Sequence, residues 1–248
     1  MKNISIVIPL RVDSQEREAN LRCVLQYLSN FDFVDIDILE ADTKRRFFYP
    51  ANNQIRYRFI YDEEAVFYRT KYLNQLLKKA SHSIVGVWDT DVIIPEKQLL
   101  QAIEYICNGY IMSFPYDGDF RFLNAAESEK VRKNIVNLDM EQGYRLLGRP
   151  SVGGAFLVNR DLYISVGGEN ESFYGWGPED VERVKRLEIL ELPIARVSGS
   201  LYHLYHKRFP DVGVDNEKKR QNNQKVLFQT CRMNKQELKN YINLYMIK

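Results

Sequence analysis

The chain has 248 residues, 45% hydrophobic and 27% charged, which suits one large α/β domain, alone or with a small appendage, and not disordered, collagenous or low-complexity sequence. A net charge of +2 makes no general case for nucleic-acid binding. Three cysteines far apart, Cys23, Cys107 and Cys231, form neither a zinc spacing nor a disulfide framework and fit a reducing compartment; no run approaches the roughly 20 apolar residues that span a bilayer.

Met1-Lys2-Asn3 runs straight into the apolar stretch Ile4 to Leu10, broken only by Ser5 and Pro9, which reads as a buried parallel strand. No signal peptide precedes it, so a cytoplasmic protein is expected. Arg11 to Ser14 is a loop. Leu21, Val24, Leu25 and Leu28 mark one face of a helix over Glu16–Ser29. Val34–Leu39 is a second strand with Glu40, Ala41 and Asp42 at its end, and Ile55–Tyr61 a third. Phe67–Ala80 is amphipathic through Tyr72, Leu73, Leu76 and Leu77, and Ser83–Trp88 is a buried strand that delivers Asp89 and Asp91 to its exit. The order β-α-β-β-α-β predicts an α/β fold with a mostly parallel central sheet flanked by helices. In such sheets ligands gather outside the carboxyl ends of the strands, where Arg11, Glu40, Asp42 and Asp91 all fall.

Beyond Pro95, a helix is expected over Lys97–Cys107 and a strand over Tyr110–Pro115. Residues 117–150 read as polar and irregular, with a helical stretch near Ala125–Asn137. Gly153-Gly154 precedes a strand ending at Val158, and a short helix over Asp161–Val166 closes at Gly167-Gly168. A helix starts at Glu179, strands cover Ile194–Val197 and Tyr202–His206, and Asn216–Ile247 reads as two helices split near Met233-Asn234. A boundary near residue 210 divides a core, 1–210, from a basic helical appendage, 211–248. Residues 207–248 carry ten Lys+Arg against four acids, +6, and the other 206 residues carry 25 against 29, −4. That surplus is either a solvated helical face or a surface for a membrane or an anionic lipid-linked acceptor, which would put the protein at the inner face of a membrane.

Three constellations carry chemistry. In Asp89-Thr90-Asp91 the two acids sit at the mouth of a buried strand, where one can bind a divalent cation that neutralises a departing diphosphate and the other can hold the ribose or a metal-bound water; the bland alternative is an acidic surface turn. His203-Leu204-Tyr205-His206 contains two of only three histidines, and imidazoles with a carboxylate suit Mn²⁺ or a similar ion. An i, i+3 pair does not share a face of an ideal strand, so both can bind one ion only if the chain bends. In Gly175-Trp176-Gly177-Pro178-Glu179-Asp180, proline and acids suit a helix start, but a tryptophan between glycines makes more sense as a hinged cover over a ligand with an acid behind it. A transferase that inverts a sugar's anomeric centre needs one carboxylate to take the acceptor's proton. Twelve percent aromatic residues suit sugar C–H faces and a tyrosine-rich core alike.

Four segments in order, Phe67 to Asn74, Trp88 to Pro95, Gly153-Gly154-Ala155-Phe156 and Tyr174 to Asp180, followed by His203 to His206, resemble the β-1,4-galactosyltransferases and related inverting GT-A glycosyltransferases, including the galactosyltransferase-like domains of bacterial polysaccharide enzymes. The resemblance covers most of residues 1–210. It implies a GT-A fold and a divalent metal, Mn²⁺ or Mg²⁺. It also implies a UDP-sugar donor, UDP-galactose or UDP-N-acetylgalactosamine, and a glycan or lipid-linked saccharide acceptor. By the same resemblance Asp91 and His206 are metal ligands, with His203 where animal members place a methionine ligand. Asp89 and Arg69 lie at the donor diphosphate, Trp176 covers the donor sugar, Glu179 contacts it, and Asp180 is the base. Pro9 and Arg11 stand where such enzymes meet uridine, Glu40 or Asp42 could contact its ring, and Gly153-Gly154 belongs to the donor site. Two departures stand out: Pro178 replaces a glycine, and the longer acidic run becomes Asp180-Val181-Glu182, which stiffens the loop. The other readings are a sugar-nucleotide- or glycan-binding protein without activity and a nucleotidyltransferase, although Pro9-Leu10-Arg11-Val12-Asp13 is not a triphosphate loop.

Overall fold

A computed structural model of the chain describes residues 2–50, 52–134, 143–145, 150–175, 177–207 and 214–246, with backbone alone at 214–216 and 245. In chain order the first half comprises β1 (Ile4–Leu10), α1 (Gln15–Leu28), β2 (Val34–Asp42), β3 (Ile55–Tyr61), α2 (Arg69–Lys79), β4 (Ile84–Trp88), β5 (Val92–Ile93), α3 (Glu96–Cys107) and β6 (Met112–Phe114). There follow β7 (Asp119–Phe122), α4 (Ala125–Lys133), β8 (Tyr144–Arg145), β9 (Ala155–Asn159), α5 (Arg160–Ser165), α6 (Glu179–Ile189), β10 (Ile194–Arg196), β11 (Ser200–His203), α7 (Val214–Arg232) and α8 (Lys235–Tyr241), which runs into a π-helical turn, Ile242–Met246.

Seven strands form the main sheet in the order β10-β6-β9-β4-β1-β2-β3. β1 lies between β2 and β4, parallel to both, and is buried at every position. The continuous apolar run seen in the sequence is what a strand covered on both faces requires. Pro9 is tolerated because pairing to β4 stops at Val7, leaving Pro9 opposite Leu39 alone. The sheet is mostly parallel, as expected, with one exception: β9 runs antiparallel between β4 and β6. Trp88 ends β4, is 1% exposed, and donates its indole N–H to the Val92 carbonyl (3.1 Å), tying off the turn that holds Asp89 and Asp91.

A second sheet, β5-β11-β7-β8, was not expected. The segment over 119–122 had read as irregular, yet Asp119-Phe120-Arg121-Phe122 alternates and pairs in parallel with Ser200–His203. α4 ends at Lys133, short of Asn137, which lies outside the described residues. It starts in a capping box between Asn124 and Glu127. Strand β11 stops at His203, before the predicted end at His206.

The C-terminal helices fold back on α6. Thr230 of α7 donates to Glu182 (3.2 Å), and Leu238 and Ile242 pack with Leu190. Burial of each such aliphatic side chain stabilises by about 1.5–3 kcal/mol. Among the described residues no helix is long and apolar enough to cross a membrane.

Candidate active site

The site lies along the carboxyl-terminal rim of β1, β2 and β4. Its centre is Asp91, 3% exposed. The antiparallel pairing of β5 with β11 sets Val92 opposite His203, and the Leu204 N–H donates to the Asp91 carbonyl (2.7 Å). The chain then leaves the strand. Asn20 of α1 donates to the Tyr205 carbonyl (3.1 Å), Ser128 of α4 accepts from the Tyr205 N–H (2.7 Å), and Arg132 donates to Asn20 (2.6 Å). This is the bend that an i, i+3 pair of histidines needs. It brings His203 Nε2 to 3.5 Å from Asp91 Oδ1 and His206 Nε2 to 3.3 Å from Asp91 Oδ2.

One ligand atom from each of Asp91, His203 and His206 falls within 4.8 Å of the others, a group that could hold a metal ion. Burial alone would push the Asp91 carboxyl up. The two histidines and Arg17, 3.4 Å away on α1, outweigh it and hold the carboxyl at about 2. An acidic, buried carboxylate with two imidazoles is a donor set that fits Mn²⁺.

Asp89 is on the other side of the same turn. Its carboxylate takes a 2.6 Å ion pair from Arg69, the first residue of α2, and its N–H donates to the Gly154 carbonyl (2.9 Å). Gly154 has φ +81°, and a Cβ there would stand 2.8 Å from Leu201 and 2.9 Å from Phe120, so no side chain fits. A Cβ on Gly153 would lie 3.0 Å from Asp180 Oδ2. The glycine pair thus lets the backbone run between Asp89 and Asp180. Tyr116 fixes it by donating to the Gly153 carbonyl (2.6 Å).

Glu179 and Asp180 open α6, where the unpaired N–H groups of the first turn favour negative charge. Asp180 Oδ1 accepts from the Val181 N–H (2.8 Å). Glu179 is 8% exposed and its Oε2 is buried without a partner. Burial raises its carboxyl to about 7, against the pull of Arg69 and with the push of Asp180. A buried acceptor left unsatisfied costs free energy unless a ligand completes it.

The remaining candidates have structural partners. Arg11 donates to the Ala41 and Glu64 carbonyls and pairs with Asp62 (2.7 Å), stitching β1, β2 and the exit of β3 together. Glu40 is fully buried; it accepts from the Arg46 and Phe47 N–H groups and the Tyr57 hydroxyl. Asp42 accepts from the Thr43 N–H (2.7 Å) and pairs with Arg46 (2.7 Å). Trp176 lies outside the described residues, but Tyr174 and Gly177, on either side of it in the loop, meet α7. Asn223 donates to the Tyr174 carbonyl (3.1 Å) and accepts from its N–H (3.3 Å), and a Cβ on Gly177 would stand 2.4 Å from Asn223 Nδ2. Asn223→Ala strands both backbone groups and is expected to lower stability by about 1–3 kcal/mol in urea denaturation; an unchanged midpoint would show that the loop does not depend on α7.

Sequence reasoning missed the scaffold beneath α6. Arg183 and Glu169, both about 1% exposed at the side chain, form a two-pronged pair (2.9 and 2.7 Å), with the Arg183 guanidinium 4.2 Å from the Phe156 ring centre. Arg186 pairs with Glu182 (3.2 Å) and donates to the Val166 and Gly168 carbonyls. Asn74 clasps the Glu169 backbone from α2. The only signal in the sequence was the i, i+4 spacing of Glu182 and Arg186, which also fits a solvated pair.

This architecture is the GT-A fold of nucleotide-sugar glycosyltransferases. A family profile described as the N-terminal domain of galactosyltransferase matches residues 136–207. Among solved structures, the chain is similar to a mannosyltransferase from Pyrobaculum calidifontis in complex with GDP-Man and Mn²⁺, with TM-score 0.56 and 12% identity over 98% of this chain and 70% of that one. It is also similar to a variant of Drosophila β1,4-galactosyltransferase 7 in complex with manganese, UDP-Gal and xylobiose, with TM-score 0.50 and 15% identity over 89% of this chain and 80% of that one. At these identities the likeness to the solved structures is one of fold.

Proposed function

We propose that this chain is an inverting, divalent-metal-dependent glycosyltransferase that moves galactose or N-acetylgalactosamine from a UDP-sugar to a glycan or lipid-linked saccharide. The carrying observation is the buried Asp91–His203–His206 group at the exit of β4, one turn from the Asp89–Arg69 pair. Asp91, His203 and His206 hold the ion, Mn²⁺ or Mg²⁺, which when bound neutralises charge on the departing diphosphate. Arg69 and Asp89 line the diphosphate and ribose side, with Gly153-Gly154 as the close backbone approach. Pro9 and Arg11 face uridine. Glu40 or Asp42 meets the uracil ring, each from a carboxylate whose two oxygens already hold partners in the loop after β2 or on β3.

Glu179 turns its unpartnered oxygen to a donor-sugar hydroxyl, and Trp176 covers that sugar. Asp180 Oδ2 receives the proton from the attacking acceptor hydroxyl. Residues 1–210 carry the transferase domain and 211–248 the basic appendage.

Calorimetric titration of UDP with and without Mn²⁺ tests this reading. Wild type is expected to bind UDP at least about tenfold more tightly with Mn²⁺, and Asp91→Ala to lose that gain, since one such ion–ligand contact is worth a kcal/mol or more. Equal binding with and without metal would overturn the metal-clamp assignment.

A further inference from the structure

From Thr43 to Tyr61 the chain holds five Lys/Arg, six Phe/Tyr and no acid. The candidate active site uses none of these side chains directly. Structurally the segment is the loop after β2 followed by β3, the last strand of the main sheet. In a strand alternate residues share a face, so Tyr57, Phe59 and Tyr61 point one way. Phe59 is 36% and Tyr61 62% exposed, and Phe48 on the loop is 61% exposed. Arg45 lies between two rings, 4.7 Å from the Phe48 centre and 4.4 Å from the Tyr57 centre. Arg46 and Arg56 are matched by Asp42 and Asp37, while Lys44 and Arg45 are exposed.

We propose that this face, Lys44, Arg45 and Phe48 with Phe59 and Tyr61, docks on an anionic lipid surface. The exposed Phe48 ring beside Arg45 and close in sequence to Lys44 matches the headgroup layer, where rings enter the interface and long basic side chains reach phosphates, while Tyr61, which donates to Glu63, forms the acidic edge of the face. A second copy fits less well, because two-fold pairing of so small a face would bring Lys44 and Arg45 of both copies into one interface. A nucleic acid fits less well because the whole chain is only +2. The loop leaves β2 at the rim that carries Asp91, so docking here sets the site's mouth beside the bilayer. The surface is distinct from the basic C-terminal helices and does not depend on the assigned reaction.

The test is co-sedimentation of the full chain with vesicles of phosphatidylcholine alone and of phosphatidylcholine and phosphatidylglycerol in equal parts. Wild type is expected on the mixed vesicles only, with binding that weakens as salt rises. The triple variant Lys44→Glu, Phe48→Ser, Tyr61→Ser is expected to bind at least about tenfold more weakly with an unchanged thermal midpoint. The variant Lys218→Gln, Lys225→Gln, Phe228→Ser in α7 is expected to retain most binding. Absence of wild-type binding, or loss confined to the α7 variant, would overturn the proposal. So would tighter binding to a single-stranded oligonucleotide than to mixed vesicles, or a wild-type dimer that Phe48→Ser and Tyr61→Ser convert to monomer.

Discussion

Asp180→Asn is expected to lower the transfer rate by about 10²- to 10⁴-fold, the usual share of a positioned general base, while Mn²⁺-dependent UDP affinity stays near the wild-type value. The change keeps the shape of the side chain and removes its ability to take a proton. Asp180 Oδ1 is engaged by the Val181 N–H, and Oδ2 faces Gly153, so the amide oxygen can keep the first contact and leave α6 in place. Initial rates with a UDP-sugar and acceptor, set beside calorimetry with UDP, separate the two effects. Equal loss of rate and of UDP binding would remove Asp180 from the role of base and make it a donor-binding residue.

Arg183→Met is expected to destabilise the fold by about 3–5 kcal/mol, the cost of leaving a buried carboxylate without its partner. Against the 5–15 kcal/mol that typical domains possess, that is a large fraction. Burial opposes the charge on Glu169, and Arg183, its two-pronged partner, reverses this and holds the carboxyl below its ordinary value. A carboxyl held down in the fold contributes stability above its unfolded value and loses it as pH falls through the folded one, so the pair weakens only in acid. Adding Glu169→Gln to Arg183→Met is expected to recover part of the loss, because no charge is then stranded. Urea denaturation measures both. A single-variant cost under about 1 kcal/mol, the level of an exposed pair, would show that the α6 scaffold does not rest on this contact.

The two predictions act on one structural unit. α6 presents Glu179 and Asp180 from its first turn, and its next turns carry Glu182, Arg183 and Arg186 into the interior. Glu169, itself held by Asn74 and Tyr163, receives Arg183; the Val166 and Gly168 carbonyls receive Arg186, and Thr230 of α7 donates to Glu182. A helix end held this way keeps two carboxyls adjacent, and burial, with the push of Asp180, is what raises Glu179.

Much of the fold was legible because its signals are local. Seven near-continuous apolar residues make β1 a strand covered on both faces, and a 3.6-residue apolar period marks α1 and α2. The place of Asp89 and Asp91 at a strand exit was legible because the apolar run Ile84–Trp88 ends there. Gly167-Gly168 marked the end of α5 in the same local way, both adopting positive φ. The second sheet was not legible: β5 and β8 have two residues each, too few for a period, and are strands only because β11 and β7 lie beside them.

Local pattern was enough for the order of the main-sheet strands and their helices, the placing of acids at strand exits and the position of Gly153-Gly154 before a strand, since each follows from side-chain period and backbone freedom within a few residues. Only the tertiary structure decided that His203 and His206 both reach Asp91. That outcome needs β5 paired to β11 and the 204–206 turn held by Asn20, Ser128 and Arg132, contacts between residues far apart in the chain. The tertiary structure also decided that Glu40 is spent on the loop after β2 and on Tyr57, and that Glu182, Arg183 and Arg186 of α6 face inward. Burial and charge compensation belong to the assembled environment of a side chain, and no local pattern encodes them.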